Sequence, residues 1–547
     1  MILPTWRKVV QFLVTPMDER IKHALSAWRE LIGEKSVITE AIDLVPYTSN
    51  TLRSDPTHVV AVLRPASRDA VQKIVRIARQ YGVGLYPISR GNNWGYGSAS
   101  PIRDSCVVVD LSGMNAVRSF DPELGLITVE PGTTTGDIQT YLTEHNASFI
   151  APTIAIGRDC SVIGNLLERG HSVGPYVDRS ASLMGIEVVL GDGSMYRSAI
   201  QTEAMQASRS FFKWGVGPYI DGLFSQSNFG IVTSATVALA PKPVYAEVFI
   251  ARIKNISTLV PAIDRVRQAL QTLGSTLPTL RILNSRHMLA RTMFYPGDSR
   301  TTLHCDHVAA LLEKHGHTSW TILGSLQGEY GVVRAAKDSL RILLRPVTTE
   351  LLFFDEHRLL GANRIFLRPF FPLKKIQIML PMLRSFYASS TGITLRSRRH
   401  IPLWRVETPQ NIVPGEMDYD LDTRCGLLFL SIVFPFRGPE VVAFVATAEA
   451  RCIEYGVEPL ISFFNFSDRC LGLNMPLLFD RQNEHATKNA RDCRTALFAL
   501  AERYGAFIQR RAIDTMDKHS ADEFENVART IKRTLDPDGI ISPGRYI

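Results

Sequence analysis

Residues Pro87–Pro101 read PISRGNNWGYGSASP, and this glycine-rich stretch directly follows the apolar stretch Val83–Tyr86. Glycine has no Cβ and tolerates positive φ, so successive backbone N–H groups of such a loop can point at one anion. The spacing Gly91-x-x-x-Gly95-x-Gly97 matches neither the dinucleotide motif GxGxxG nor the Walker motif GxxxxGK[ST]. The glycines alone therefore leave two interpretations open, a structural turn and a phosphate-binding loop.

Helical and strand-like patterns surround this loop. Ser67 precedes a helical pattern that ends at Gly82, with apolar residues at helical spacing between them. The predicted strands are Cys106–Leu111, Leu126–Glu130 and a hairpin at 186–197 around a glycine turn, and a further helix covers 135–145. This part of the chain is therefore predicted to be α+β.

The chain changes character near residue 245. Helical patterns near 256–273, 301–315 and 331–344 alternate there with strand-like segments at 319–326, 364–369 and 426–435. A last helix is predicted over 521–534, and the end LDPDGIISPGRYI is rich in turn residues. A chain of 547 residues can bury more than one core, so we expect at least two α+β units.

Charge and cysteine content exclude several classes of protein. The net charge of +8 is small for this length, so we expect no nucleic-acid partner. The densest basic cluster, 395–400 (LRSRRH), is either a solvated surface stretch or a docking patch for an acidic substrate or a carrier protein. The 7 cysteines contain no CxxC pair, and the apolar run near the amino terminus is too short for a signal or a membrane span. We expect a cytoplasmic protein with no membrane partner.

Several further segments have a characteristic form and order. They are Ser161–Asn165 (SVIGN), Glu168–His171 (ERGH), Gly185–Ser194, Leu223–Thr233 (LFSQSNFGIVT) and the terminal DPDGIISPG. Together with the glycine loop they resemble the motifs PxSxGxNxGYG, SVxGN, ERG, GxEVVLxxG, QSNFGIVT and DPxGIxxPG of the vanillyl-alcohol oxidase and p-cresol methylhydroxylase (PCMH) family of flavin oxidoreductases. The sequence is similar to that family in the order and spacing of these motifs.

The resemblance implies an α+β flavoprotein with two domains. Residues 1–54 would form a helical lead-in, 55–243 an FAD-binding domain of the PCMH type, 244–499 a cap that binds the substrate, and 500–547 a segment that completes the FAD domain. FAD is the implied cofactor. We expect it to be bound without a covalent tether, because the glycine loop has Trp94 and no histidine, and Ala151 precedes Pro152 where some relatives have a cysteine.

The resemblance also implies which residues bind FAD. The glycine loop would hold the pyrophosphate, the SVIGN segment would line the flavin, residues 230–232 would hold the adenosine half, and Arg545 would lie near the flavin. The implied set is Pro87, Ile88, Ser89, Arg90, Gly91, Asn92, Asn93, Gly95, Tyr96, Pro152, Ser161, Val162, Gly164, Asn165, Gly170, Asn228, Gly230, Ile231, Val232 and Arg545, with no metal ligand.

In the phenol oxidases of the family, two tyrosines and an arginine hold the substrate as a phenolate. Tyr96 matches one tyrosine, whereas Phe507 and Ile508 align with the other tyrosine and the arginine. We therefore expect an apolar end to the substrate pocket, with Arg510 as a replacement cation. His171 is either a proton-transfer group, because an unperturbed imidazole titrates near pH 6.5, or a histidine bonded to backbone.

The predicted function is FAD-dependent removal of a hydride from a non-phenolate or lipophilic organic substrate in specialised metabolism. The electron acceptor would be oxygen or a redox protein, and the resemblance suggests a homodimer. One alternative is a 2-hydroxy-acid dehydrogenase with a metal site, for which His304, Cys305 and His307 have suggestive spacing. A second alternative is a flavin-binding protein without redox turnover.

Overall fold

The computed structural model describes residues 18–52, 57–154, 157–198, 210–298, 301–365, 374–393, 401–402, 404–405, 425–516 and 522–547. The basic cluster 395–400 and the apolar run near the amino terminus lie outside these residues. The predictions made for those two segments therefore stay predictions.

The glycine loop extends from a four-stranded sheet made of β1 (Val37–Ile38), β2 (Val59–Leu63), β3 (Leu85–Ile88) and β4 (Cys106–Asp110), in the order β1-β2-β4-β3. Strands β2, β4 and β3 are parallel. Ser67 caps the helix Arg68–Tyr81 between β2 and β3 by accepting a hydrogen bond from the N–H of Ala70, and Gly82 ends it at φ +64°. The loop thus leaves the carboxyl edge of a parallel sheet, where open α/β sheets bind ligands.

A second, antiparallel sheet packs nearby and contains β5 (Val117–Asp121), β6 (Leu126–Val129), β8 (Leu183–Leu190), β9 (Met195–Arg197) and β10 (Gly230–Ala238), in the order β5-β6-β10-β8-β9. A separate pair joins β7 (Phe149–Ile150) to β11 (Ala240–Pro241). Val189 of β8 pairs with Met195 of β9, so the predicted hairpin is confirmed.

The second unit is built on an eight-stranded sheet of β12 (Tyr245–Ile253), β13 (Thr279–Asn284), β14 (Trp320–Gly328), β15 (Thr348–Phe354), β16 (Gly426–Pro435), β17 (Ser462–Asn465), β18 (Cys470–Phe479) and β19 (Phe507–Ile508), in the order β15-β12-β14-β13-β17-β18-β16-β19. Successive side chains of a strand point to opposite faces. Leu280 and Ile282 therefore enter a core with helical residues such as Phe444, whereas Thr279 bonds the N–H of Gly174 on the other face. That other face covers the unit of the glycine loop.

Fourteen α-helices lie within the described residues. They are Glu19–Ile32, Ala41–Thr48, Arg68–Tyr81, Thr135–Glu144, Val162–Leu167, Leu259–Leu273, Ser285–Thr292, Cys305–His315, Tyr330–Leu344, Glu356–Ile365, Lys374–Ser390, Gly438–Glu454, Glu484–Arg503 and Glu523–Leu535. None of the helices within the described ranges is long and apolar enough to cross a bilayer.

The carboxyl-terminal tail returns to the first sheet. Leu85 of β3 donates its N–H to the carbonyl of Ile540 at 2.8 Å and accepts from the N–H of Ser542 at 2.7 Å. Asn228 bonds the carbonyls of Ser542 and Ile547 at 3.3 and 3.0 Å. The tail therefore forms part of the wall beside the glycine loop.

Two of the loop glycines permit contact between units. A Cβ at Gly95 would lie 2.3 Å from the ring of Phe429 on β16, and one at Gly97 would lie 2.6 Å from Ile513. The hydroxyl of Thr51 accepts from the N–H of Gly95 at 2.8 Å and donates to the carbonyl of Leu427 at 3.2 Å. Because these two positions are glycines, β16 and the segment that follows β19 can pack directly against the loop.

The predicted α+β class is confirmed. The strand predicted at 364–369 is wrong at Arg364 and Ile365, which end the helix Glu356–Ile365, and 366–369 lie outside the described residues. That helix buries Leu359 in a cluster with Met379 and Leu383 of the helix Lys374–Ser390. The domain boundaries stay predictions, and the helix Glu484–Arg503 runs through the expected boundary at 499/500.

Gly95→Ala is expected to destabilise the protein, because its methyl group would overlap the Phe429 ring at a backbone φ of +75°. Overpacking of this kind costs about 1–3 kcal/mol. The thermal midpoint should therefore fall clearly below that of the wild type. Gly113→Ala is the matched control, since nothing lies within 4 Å of a Cβ there. Equal midpoints for the two variants would contradict the packing role of Gly95.

Candidate functional site

A cleft of about 1100 Å³ opens where the glycine loop meets the helix Val162–Leu167 and the carboxyl-terminal tail. Its walls are formed by the loop, the segment 160–168, the start of β10 and the tail. Four parts of the chain that are far apart in sequence thus enclose one space.

Close backbone approach shapes the cleft. Gly91 has φ +67°, and a Cβ there would lie 3.0 Å from the Cβ of Ala99. On the facing wall, a Cβ at Gly164 would lie 2.5 Å from the hydroxyl of Ser89. Ser161 starts the facing helix, accepting from the N–H of Gly164 at 2.9 Å and donating to a carbonyl at 2.6 Å. The two glycines therefore make a cradle that larger residues would fill.

A buried ion cluster closes one end of the cleft. Glu168 accepts hydrogen bonds from Arg510 at 3.0 Å and from the hydroxyl of Tyr546 at 2.7 Å, and it also pairs with Arg545. Arg510 donates a second bond to the Oδ1 of Asn93 at 2.6 Å, which ties the cluster to the glycine loop. Two guanidinium groups against one carboxylate leave this end of the cleft with net positive charge.

The members of the ion cluster shift one another's pKa values. Burial raises the pKa of Glu168, but Arg545 and Arg510 outweigh this effect and bring the pKa down to about 2. Burial lowers the pKa of Arg510, and Glu168 more than restores it. All three groups are therefore ionised at neutral pH, and the carboxylate keeps both cations in place.

Tyr96 lies next to the cluster and beneath the cap. Its ring stacks on Phe429 with centroids 5.3 Å apart, and the guanidinium carbon of Arg510 lies 4.1 Å from the ring centroid. Burial raises the pKa of Tyr96, although Arg510 and a hydrogen bond with Ser431 oppose the rise. Tyr96 is therefore a neutral phenol at neutral pH.

His171 lies between the two units. Its ring stacks on Phe464 of β17 with centroids 4.0 Å apart. Burial lowers the pKa of His171 to about 3, with help from the cations Arg281 and Arg510. An imidazole this weak as a base is a poor match to the proton transfer that the sequence suggested, which needs a pKa near the working pH.

The structure brings most of the expected FAD-binding residues to the cleft. Those that line it are Pro87, Ile88, Ser89, Arg90, Gly91, Asn92, Asn93, Ser161, Gly164, Asn165, Gly230, Ile231, Val232 and Arg545, together with Arg510. Those that lie behind its walls are Gly95, Tyr96, Val162, Gly170 and Asn228. Pro152 instead lines a smaller cavity of about 270 Å³ with Thr153 and Arg179.

Phe507 does not lie in a pocket, contrary to the expectation from the aligned tyrosine. It pairs with Val433 at the edge of the eight-stranded sheet, and it is 77% exposed. Ile508 points to the other side of the same short strand and is half-buried. The cation next to Tyr96 is Arg510, two residues after Ile508, so the alignment in this segment is displaced.

Sequence reasoning missed Glu168, Tyr86 and Tyr546 as site residues, although all three take part in the ion cluster. Glu168 was part of a quoted motif, and a carboxylate directly after the SVIGN helix was the available signal. Tyr86 and Tyr546 had no signal, since only the return of the tail to β3 brings them together.

The metal alternative rests on an exposed group. Ligand atoms of His304, Cys305 and Asp306 lie within 4.8 Å of one another, and all three side chains are exposed. His304 caps the helix Cys305–His315 by accepting from the N–H of Asp306. His307 is exposed on the same helix. This group lies outside the cleft lining.

The residues of the cleft fit FAD. The glycine cradle leaves room for a pyrophosphate against backbone N–H groups. The Oδ1 of Asn165 is buried without a hydrogen-bond partner among the described residues, as expected for a group that bonds a ligand. The positive end of the cleft suits the anionic parts of the cofactor.

Comparisons with known proteins agree with this fit. Residues 59–199 match the model of a family described as FAD binding domain. The chain is 30% identical to 1'-carboxy-chondrochloren decarboxylase of Chondromyces crocatus over 96% of this chain and 97% of that protein. It is 26% identical to the 4-cresol dehydrogenase [hydroxylating] flavoprotein subunit of Pseudomonas putida over 95% of this chain and 94% of that protein.

A solved structure shows the same fold. The structure of 4-ethylphenol oxidase from Gulosibacter chungangensis in complex with isoeugenol superposes with a TM-score of 0.86, at 23% identity and over 97% of each chain. The relatives named above are similar over nearly the full length of this chain, and the cleft is suited to FAD. The chain belongs to the vanillyl-alcohol oxidase and p-cresol methylhydroxylase family of FAD-dependent oxidoreductases.

Proposed function

We propose that this protein is an oxidoreductase of the vanillyl-alcohol oxidase type, which oxidises a small lipophilic organic substrate held between FAD and the cap sheet. The observation that supports this most directly is the stack of Phe429, Tyr96 and Arg510 at the junction of the cleft and the cap. A neutral phenol and a fixed cation lie there side by side. Such groups can orient a substrate and stabilise negative charge.

FAD would supply the redox chemistry by accepting a hydride from the substrate. The protein would supply electrostatics through Glu168, Arg510 and Arg545, because their net positive charge favours an anionic reduced ring over a neutral oxidised one. Tyr96 is held by Phe429 and can donate a hydrogen bond without losing its proton. The aromatic face of the cap would exclude water from the reacting carbon.

Lipophilic substrates are favoured by the cap rather than by Phe507. The cap face above the cleft presents Phe429 and Phe464, and each stacks on a side chain of the FAD-binding unit. The electrons would pass to oxygen or to a redox protein. The expected assembly is a homodimer.

A carboxylated substrate is the second candidate. The name of the relative from Chondromyces crocatus describes a decarboxylase acting on a carboxylated compound. In this chain, Arg281 of the cap is buried and has no ion pair among the described residues. The carboxylate of a substrate would supply the missing partner. A 2-hydroxy acid is one such carboxylated substrate.

The purified protein is expected to be yellow, with FAD that is released by acid. We would record the visible absorption spectrum before and after acid precipitation. Flavin in the supernatant is the predicted result, since the glycine loop has Trp94 where tethered relatives have a histidine. Colour in the pellet would contradict the untethered state. Absence of flavin after reconstitution with FAD would overturn the proposed function.

Charge changes in the cluster should shift the midpoint potential of bound FAD in opposite directions. Arg510→Gln removes a cation and should lower the potential, whereas Glu168→Gln removes an anion and should raise it. Reductive titration against a dye of known potential measures both. Arg341→Gln is the control, because Arg341 is 53% exposed on a cap helix. Shifts of the same sign in the two cluster variants would refute the electrostatic role.

His171 should make the protein less stable in mild acid. Its pKa is about 3 in the folded state and about 6.5 when unfolded, so the stability from the neutral ring is present above about pH 6.5 and is lost as the pH falls towards 3. His171→Phe removes this effect and can still stack on Phe464. Its thermal midpoint should therefore fall less steeply between those pH values than that of the wild type or of the exposed control His304→Phe. Parallel curves would show that His171 is not desolvated.

A further inference from the structure

Arg281 is a buried cation with no counter-ion in the part of the chain that the structure describes. It lies on β13, on the sheet face that covers the FAD-binding unit, and is only 7% exposed. No hydrogen bond or ion pair involves its side chain among the described residues, and its one contact of note is with the ring of Phe464, 5.7 Å from the guanidinium carbon. Burying a charge in this way is costly unless a partner is present in the working protein.

A second arginine increases the charge at this place. Arg291, on the helix Ser285–Thr292 that follows β13, has its Nε buried without a hydrogen-bond partner. Burial and, to a smaller extent, the charge of Arg291 lower the pKa of Arg281 to about 9, and no carboxylate among the described residues acts in the opposite direction. Two cations therefore share one region of the cap that lacks an anion in the described part of the chain.

The same helix shows what a structural arginine looks like in this protein. Arg286 is 8% exposed, pairs with Glu458 and donates a second bond to the carbonyl of Leu303 at 2.9 Å. The fold therefore satisfies a buried guanidinium where it serves packing. Arg281 and the Nε of the half-buried Arg291 lack such partners among the described residues, and this difference from Arg286 indicates a ligand.

The two cations are connected to the redox site. The ring of Phe464 contacts both the guanidinium of Arg281 and the stacked ring of His171. The charges of both Arg281 and Arg510 help to lower the pKa of His171. Arg510 in turn contacts the ring of Tyr96 and lines the cleft. A path of side chains thus runs from the cap arginines to the end of the cleft.

We propose that Arg281 and Arg291 form a subsite that binds a carboxylate group of the substrate, an inference that rests on the proposed function. A guanidinium fork matches the two oxygens of a carboxylate. The neighbouring rings of Phe464 and His171 offer apolar contact to the rest of an aromatic or alkyl acid. The aromatic surroundings also favour a monoanion, whose desolvation costs less than that of a phosphate dianion.

The test uses the FAD-bound protein and probes of defined charge. Benzoate, phenylacetate and octanoate are titrated while the visible absorption of the flavin and the thermal midpoint are recorded, with benzamide as the neutral analogue and phenyl phosphate as the dianion. We expect saturable binding of the carboxylates and no response to benzamide. Arg281→Met should weaken carboxylate binding by about tenfold to hundredfold, the loss of a hydrogen bond to a charged group. Arg437→Met, 66% exposed in the same unit, should change nothing.

Stability without a ligand separates a binding role from a structural one. Arg281→Met should raise the thermal midpoint of the unliganded protein, because it removes a buried charge that no described residue pairs with. Arg286→Met should lower it, because Glu458 would be left unpaired. A lower midpoint for Arg281→Met with unchanged carboxylate binding would overturn the inference.

The remaining outcomes are also decisive. Tighter binding of phenyl phosphate than of any carboxylate, lost in Arg281→Met, would overturn the assignment to a carboxylate. Bound FAD without any response to the three carboxylates would overturn this inference alone. A protein that binds no FAD would overturn the proposed function itself.

Discussion

The Glu168 carboxylate, held between Arg510 and Arg545, is the interaction on which the rest of the site depends. Each of the three residues comes from a different segment: the helix end after SVIGN, the chain just past β19, and the tail. Without Glu168, the two guanidinium groups would repel each other. Its carboxylate compensates both the repulsion and the desolvation of the two buried cations. The cluster thereby joins the cap and the tail to the FAD-binding unit while leaving net positive charge where an anionic ligand needs it.

Alternation along the cap strands explains why the cap can serve two purposes. One face of the eight-stranded sheet forms a core with helices, as Ile282 and Phe463 show. Neighbouring residues on the same strands, Arg281 and Phe464, face the FAD-binding unit. Because the side-chain period of a strand is two, a single residue separates positions that stabilise the cap from positions that meet a substrate. The same rule places Phe429 above Tyr96.

The glycine loop combines two roles that its sequence does not separate. Gly91 shapes the cleft, whereas Gly95 admits the ring of Phe429 and lies behind the cleft wall. Both residues have a positive φ, so the backbone conformation favours glycine at each position for the same reason. Which glycine approaches a ligand and which approaches another part of the chain depends on what packs against the loop.

The sequence by itself determined the local elements and the cofactor. The helix Arg68–Tyr81, with its caps Ser67 and Gly82, follows from short-range periodicity and capping, and the ordered motifs indicated FAD. The strand predicted at 364–369 failed at Arg364 and Ile365, and Phe507 lies exposed rather than in a pocket, because each expectation depended on partners elsewhere in the chain. Only the tertiary structure decided that Glu168 meets Arg545, that Arg510 rather than Ile508 lies beside Tyr96, and that Arg281 has no counter-ion within the described ranges. Short-range signals end within a turn or two of chain, whereas these contacts are set by sheet pairing and packing between distant segments.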